Sequence, residues 1–153
     1  MGLAASQRDG AILHGPPGQR WKFASGNDSW GIGIEGLNGT DHLRPDQGRI
    51  DIDLTMVGHD RFGVFLSYLK LAGGHGGSYC SKGDLSRLKE WVRTKHGDFM
   101  PIGLFIPFES AWRAVKEFMD TEGELPHSIE WIAAEDIPNG VFPNQWEDVP
   151  FHK

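Results

Sequence analysis

The chain is short of the groups on which several kinds of protein depend. Its 153 residues include one cysteine, Cys80. A single thiol excludes an internal disulfide framework and suits a reducing compartment. No run approaches the roughly twenty apolar residues that a membrane helix requires, and no basic-then-apolar leader opens the chain. The expectation is a cytoplasmic protein with no membrane partner. Basic residues are the minority, 15 Lys and Arg against 21 Asp and Glu, for a formal charge of −6. That balance argues against direct binding to nucleic acid; it leaves open plain solubility or a basic partner. The seven histidines show no H-x-x-x-H or H-E-x-x-H spacing, so they read as surface residues and no metal site is expected. There is no Gly-x-Ser-x-Gly elbow either.

Glycine and tryptophan are what the chain has in quantity, with 21 and 6 residues. They point to many turns and to a core with large aromatic anchors. Residues 1–20 are small and polar and end in Gly15-Pro16-Pro17-Gly18, which predicts a flexible N-terminal segment. Residues 21–153 then suit one domain. Gly31-Ile32-Gly33-Ile34-Glu35-Gly36 spells a dinucleotide-binding pattern, but that mechanism needs a helix start directly afterwards. Leu37-Asn38-Gly39-Thr40 reads as a turn instead. Trp30, Ile32 and Ile34 alternating with glycine predict a strand with one side-chain-free face, and no cofactor is expected.

Arg49 to Val57 is the clearest strand, with Ile50, Ile52, Leu54 and Met56 on one face and Asp51, Asp53 and Thr55 on the other. A turn at residues 58–61 leads to a second strand over 62–71, apolar on both faces and expected to be the more buried. Gly73 to Ser78 predicts a mobile loop, a hinge or lid. Residues 84–96 allow two readings. Leu85, Leu88, Trp91 and Val92 have helical spacing between an Asp84 cap and a Gly97 stop, while a strand around 91–94 competes. Ile102, Leu104, Phe105 and Ile106 predict a short buried strand.

The most strongly patterned stretch follows. Phe108, Ala111, Trp112, Val115, Phe118 and Met119 recur at three- and four-residue steps, predicting a helix over about 108–122. Glu109 with Arg113 and Lys116 with Asp120 are four-residue charge pairs on its other face. Pro107 suits the start and Gly123 the stop. A strand begins near Ile129. The tail from Asp136 carries three prolines and should wrap the surface irregularly, pinned by Phe142, Trp146 and Phe151. The fold class is α+β, a mostly antiparallel sheet with the helix on one face.

The run Ile106-Pro107, then Ala114-Val115-Lys116-Glu117-Phe118, Thr121-Glu122-Gly123, Leu125-Pro126 and Ile129-Glu130-Trp131 resembles the C-terminal signature of immunity family one of bacterial polymorphic-toxin systems. Residues 49–84 resemble it more loosely. The resemblance implies an immunity protein that binds a cognate secreted toxin domain and blocks its active site, with no turnover. It makes a nucleic-acid deaminase the expected toxin, with a nuclease close behind.

A toxin that handles nucleic acid has a basic groove, which an acidic surface can meet. If Ile50, Ile52 and Leu54 point inward, Asp51 and Asp53 point out, and Glu130 joins them on a polar strand face. A merely solvated sheet face is the alternative. Trp146 is a candidate interface anchor, or else it folds back on its own core. Two rival functions remain at this point. One is a small hydrolase or metal-dependent enzyme using His75, Cys80 or His96; the other is a ligand-binding regulatory domain with the glycine loop as lid.

Overall fold

The computed structural model describes residues 12–14, 20–25, 28–73 and 75–153. The expected flexible segment 1–20 lies mostly outside them; of it, Ile12–His14 form a strand and Arg20 opens another. The chain divides into two compact units.

The first unit comprises residues 1–56 and 67–78. It holds β1 (Ile12–His14), β2 (Arg20–Ser25), β3 (Ser29–Glu35), most of β4 (Ile50–His59), the end of β5 (Gly63–Ala72) and the start of β6 (His75–Ser81), adjacent in that order. β1 with β2 and β2 with β3 are antiparallel. Alternation decides what each strand buries. Ile32, Ile34, Ile52, Leu54, Met56 and Tyr68 face inward with Trp21. The opposite face carries Gly31, Gly33, Asp53, Thr55, Leu69 and Leu71, by the two-residue period of a strand. The second hairpin strand is the more buried of the two, as expected, although its last leucines are exposed.

A correction concerns Gly73 to Ser78. Among the described residues of this stretch Gly73 belongs to a turn, and β6 begins at His75. Gly73 and Gly76 serve close backbone approach. A methyl at Gly76 would fall 2.1 Å from the Lys70 carbonyl oxygen, and one at Gly73 2.7 Å from the Gly48 Cα.

The second unit comprises residues 57–66 and 79–153. β10 (Trp131–Ala133) pairs antiparallel with the end of β6, and β9 (Phe105–Ile106) pairs antiparallel with the start of β5. β7 (Trp91–Arg93) and β8 (Phe99–Pro101) form a separate antiparallel ladder. The core gathers Phe65, Cys80, Leu88, Val92, Ile102, Leu104, Phe105 and Val141. Residues 84–96 thus resolve as a single turn of 3-10 helix at Leu85–Arg87 followed by strand. Asp84 does cap, accepting from the Ser86 N–H at 3.0 Å. The turn goes no further because the Glu90 carbonyl accepts from the Ile102 N–H at 2.8 Å, drawing the chain into β7.

The helix α1 (Phe108–Asp120) packs on the sheet through Ala111, Ala114, Val115 and Phe118. Pro107 is its N-cap, with its carbonyl accepting from the Ala111 N–H at 3.0 Å. At the other end the Gly123 N–H reaches back to the Phe118 carbonyl at 2.8 Å, with Gly123 at φ 94°. The stripe is narrower than the spacing suggests. Phe108 is exposed and Trp112 is 54% exposed, whereas Ala114, not expected in it, is buried. Lys116 and Asp120 pair at 2.7 Å; Arg113 donates to the Ser110 hydroxyl instead of pairing with Glu109.

The tail is irregular after a turn at Ala134–Asp136, as expected, and of its three expected pins Phe142 meets the core Phe65 edge-on, Phe151 meets Phe99, and Trp146 fails. Val141 is buried and its carbonyl accepts from the Trp91 indole N–H at 2.9 Å. Phe151 stacks near Phe99, and the His152 N–H donates to the Trp91 carbonyl at 2.7 Å. Trp146 pins nothing: it is 84% exposed.

Candidate functional site

Two surface features hold the residues singled out by sequence, one in each unit. In the first unit, β4 presents Asp51 and Asp53 on the face away from Ile52 and Leu54, as alternation requires. Their circumstances differ sharply. The Asp51 side chain is only 16% exposed. It takes three hydrogen bonds from the Arg49 guanidinium at 3.0–3.1 Å and one from the Gly36 N–H at 3.2 Å. Asp51 therefore works inside its own fold, holding the turn after β3. Glu35 on β3 forms an ion pair with Lys22 on β2.

Asp53 is exposed, and among the described residues its carboxylate has no hydrogen-bond or ion-pair partner. The carboxylate leans over β3, where a methyl at Gly33 would meet Asp53 Oδ1 at 2.7 Å. A methyl at Gly31 would meet nothing closer than Thr55 Cγ2 at 3.8 Å. The side-chain-free strip expected of β3 is therefore real, and one carboxylate lies across it. Lying against the backbone costs that carboxylate part of its water, which pushes its pKa above the usual aspartate value. Asp51 and Glu35 push it the same way and Lys22 opposes them.

In the second unit, Glu130 is exposed just ahead of β10, where its backbone carbonyl accepts from the Lys82 N–H at 3.1 Å. Trp146 stands on a turn that ties itself together. Its N–H donates to Asn144 Oδ1 at 3.0 Å, the Glu147 N–H donates to the Asn144 carbonyl at 2.9 Å, and the Asn144 N–H donates to Glu147 Oε1 at 3.3 Å. The Trp146 ring is thus carried on an ordered support, with Glu147 and Asp148 directly following it.

Of the groups proposed for enzyme chemistry, the structure describes the side chains of Cys80 and His96. Cys80 is buried in the core, which pushes its thiol up to about 11 and keeps it protonated at neutral pH. His96 is exposed on the turn before Gly97, and the His75 side chain lies outside the described residues. Among the described residues no group of three or more His, Cys, Asp or Glu side chains is placed to hold a metal ion. None of the described helices is long and apolar enough to cross a membrane. The glycine pattern at 31–36 runs along β3 into a left-handed Gly36 and a single 3-10 turn, so no helix N-terminus awaits a pyrophosphate.

Sequence reasoning missed Leu69 and Leu71, which share the outer face of the first unit with Asp53 and are both exposed, Leu71 by 51%. Their apolar character pointed inward, and only the strand period joined to the position of Tyr68 reveals the other direction. Neither the curated proteins nor the solved structures offer a match to this chain. A family model described as Immunity protein Imm1 matches residues 26–133, well over half of the chain, and the protein belongs to that immunity-protein family.

Proposed function

We propose that this immunity protein binds a nucleic-acid deaminase toxin in the cytoplasm and covers its active site, converting no substrate itself. Family membership accounts for a cognate toxin as partner. The resemblance of the Ile106–Trp131 run to members that neutralise deaminases favours that chemistry, with a nuclease as the nearest variant. A toxin of either kind carries a basic groove for its substrate. The net charge of −6 and the exposed carboxylate of Asp53 suit such a groove.

The observation that carries the reading is Trp146. An indole 84% in water adds nothing to its own core. Its turn is nevertheless held by three hydrogen bonds. An exposed aromatic on an ordered turn has the character of an interface hot spot, because the backbone that carries it is already set and an indole has few torsions to fix. A complex of ordinary size would cover about 800 Å² on each partner around it.

The test is capture of the toxin domain encoded beside this chain, in a form with its active site disabled. Trp146→Ala is expected to weaken that complex by at least about 30-fold, the effect of a hot-spot truncation. Unchanged affinity removes Trp146 from the interface. Failure of the intact chain to hold the toxin, or to protect cells expressing it, removes the function.

A further inference from the structure

The outer face of the first unit combines features that a merely solvated sheet would lack. On β5, Leu69 and Leu71 stand in water on the side opposite the buried Leu66 and Tyr68. On the neighbouring β4, Asp53 stands on the same side, opposite Ile52 and Leu54. Adjacent strands lie about 4.8 Å apart, so exposed aliphatic surface and an exposed carboxylate are neighbours. On the far side of Asp53 is the backbone of β3, covered by the carboxylate at the buried Gly33 and open at Gly31. The face is therefore stepped: low at β3, with a carboxylate above it and an apolar ledge beyond.

The carboxylates here are not equivalent. Asp51 is occupied by Arg49 and the Gly36 N–H, and Glu35 by Lys22. Asp53 alone of the three has no hydrogen-bond or ion-pair partner among the described residues, and the attraction of Lys22 is outweighed by its other surroundings. It is also the one whose ionised form its surroundings penalise. An arriving cation would relieve that penalty.

We infer that this face is a docking surface for an arginine side chain of the toxin, with the guanidinium on the Asp53 carboxylate and the aliphatic stem along Leu69 and Leu71. Arginine fits better than lysine. Its fork can engage both carboxylate oxygens, and its weakly hydrated head tolerates an apolar ledge. The stem supplies the hydrocarbon that two exposed leucines lack. The side-chain-free strip over Gly31 gives the partner's backbone room to approach. The inference rests on the toxin-binding reading above and specifies one contact within it.

The experiment measures affinity for the same disabled toxin domain across a salt series, using the full chain and three variants. Asp53→Asn keeps the shape and removes the charge; it should weaken binding by about 30-fold and flatten the salt dependence. Leu71→Ser should weaken binding by about 10-fold with the salt dependence retained. Gly33→Ala keeps every charge but places a methyl 2.7 Å from the present position of Asp53 Oδ1, so the carboxylate must move. It should weaken binding by about 10-fold, an effect that long-range attraction alone would not produce. Thermal midpoints of the variants close to the parent show that the fold is intact. If the parent holds the toxin while Asp53→Asn and Gly33→Ala bind as tightly as it does, the arginine contact is wrong and the immunity function stands. A parent chain that does not hold the toxin removes both.

Discussion

The hydroxyl of Ser81 donates to the carbonyl of Leu104 at 2.6 Å, deep in the second unit. The same oxygen accepts from the Leu66 N–H at 2.9 Å. One small polar side chain thus bridges a backbone donor on β5 and a backbone acceptor next to β9. Ser81→Ala leaves both groups buried and unpaired. The expected loss is about 1–3 kcal/mol, the cost of orphaning buried polar groups. A urea midpoint unchanged from the parent would show that water or a backbone shift replaces the hydroxyl.

Interior links of this kind explain which parts of the fold were readable from sequence. The hairpin of β4 and β5 and the helix α1 are local: alternation from Ile50 to Met56, three- and four-residue spacing from Ala111 to Phe118, and Pro107 and Gly123 at the ends carry them. Errors arose where a distant partner decides. Nothing near Leu85 or Trp91 reveals that the Glu90 carbonyl will meet the Ile102 N–H, so helical spacing stayed as plausible there as strand. Glycines at 73–77 resemble a loop until the Lys70 carbonyl is seen against Gly76. For the candidate surface, outward carboxylates at Asp51 and Asp53 followed from the strand period. That Arg49 would occupy one and leave the other did not, because it depends on rotamers that alternation does not encode.

Phe118 and Trp112 separate the two sides of α1. Both share the apolar spacing of the helix, yet Phe118 is fully buried and Trp112 is mostly in water. Ala111 and Ala114 on the buried side let the helix sit close, so the Phe118 ring fills space that no neighbour could take over. Phe118→Ala should cost about 3–5 kcal/mol. Trp112→Ala should stay within about 0.5 kcal/mol, as exposed substitutions do. Equal urea midpoints for the two variants would mean that the helix is packed on a different face.

Asp53 sets stability against function. Its pKa is raised in the fold, first by lost hydration and then by Asp51 and Glu35, against the pull of Lys22. A carboxyl of that kind holds its proton more tightly folded than unfolded, so the fold is favoured at pH values below its unfolded pKa, about 3.9. That advantage disappears as the pH rises through the higher folded value. At neutral pH the ionised group is therefore a small liability. Asp53→Asn should raise the thermal midpoint slightly at pH 7, by a free energy within about 0.5 kcal/mol, and the gain should vanish in acid below about pH 4. A variant stabilised equally at both pH values, or destabilised at pH 7, would show that the carboxylate is already compensated by its own chain. A small gain at pH 7 together with a weaker hold on the toxin is the signature of a charge kept in place for a partner.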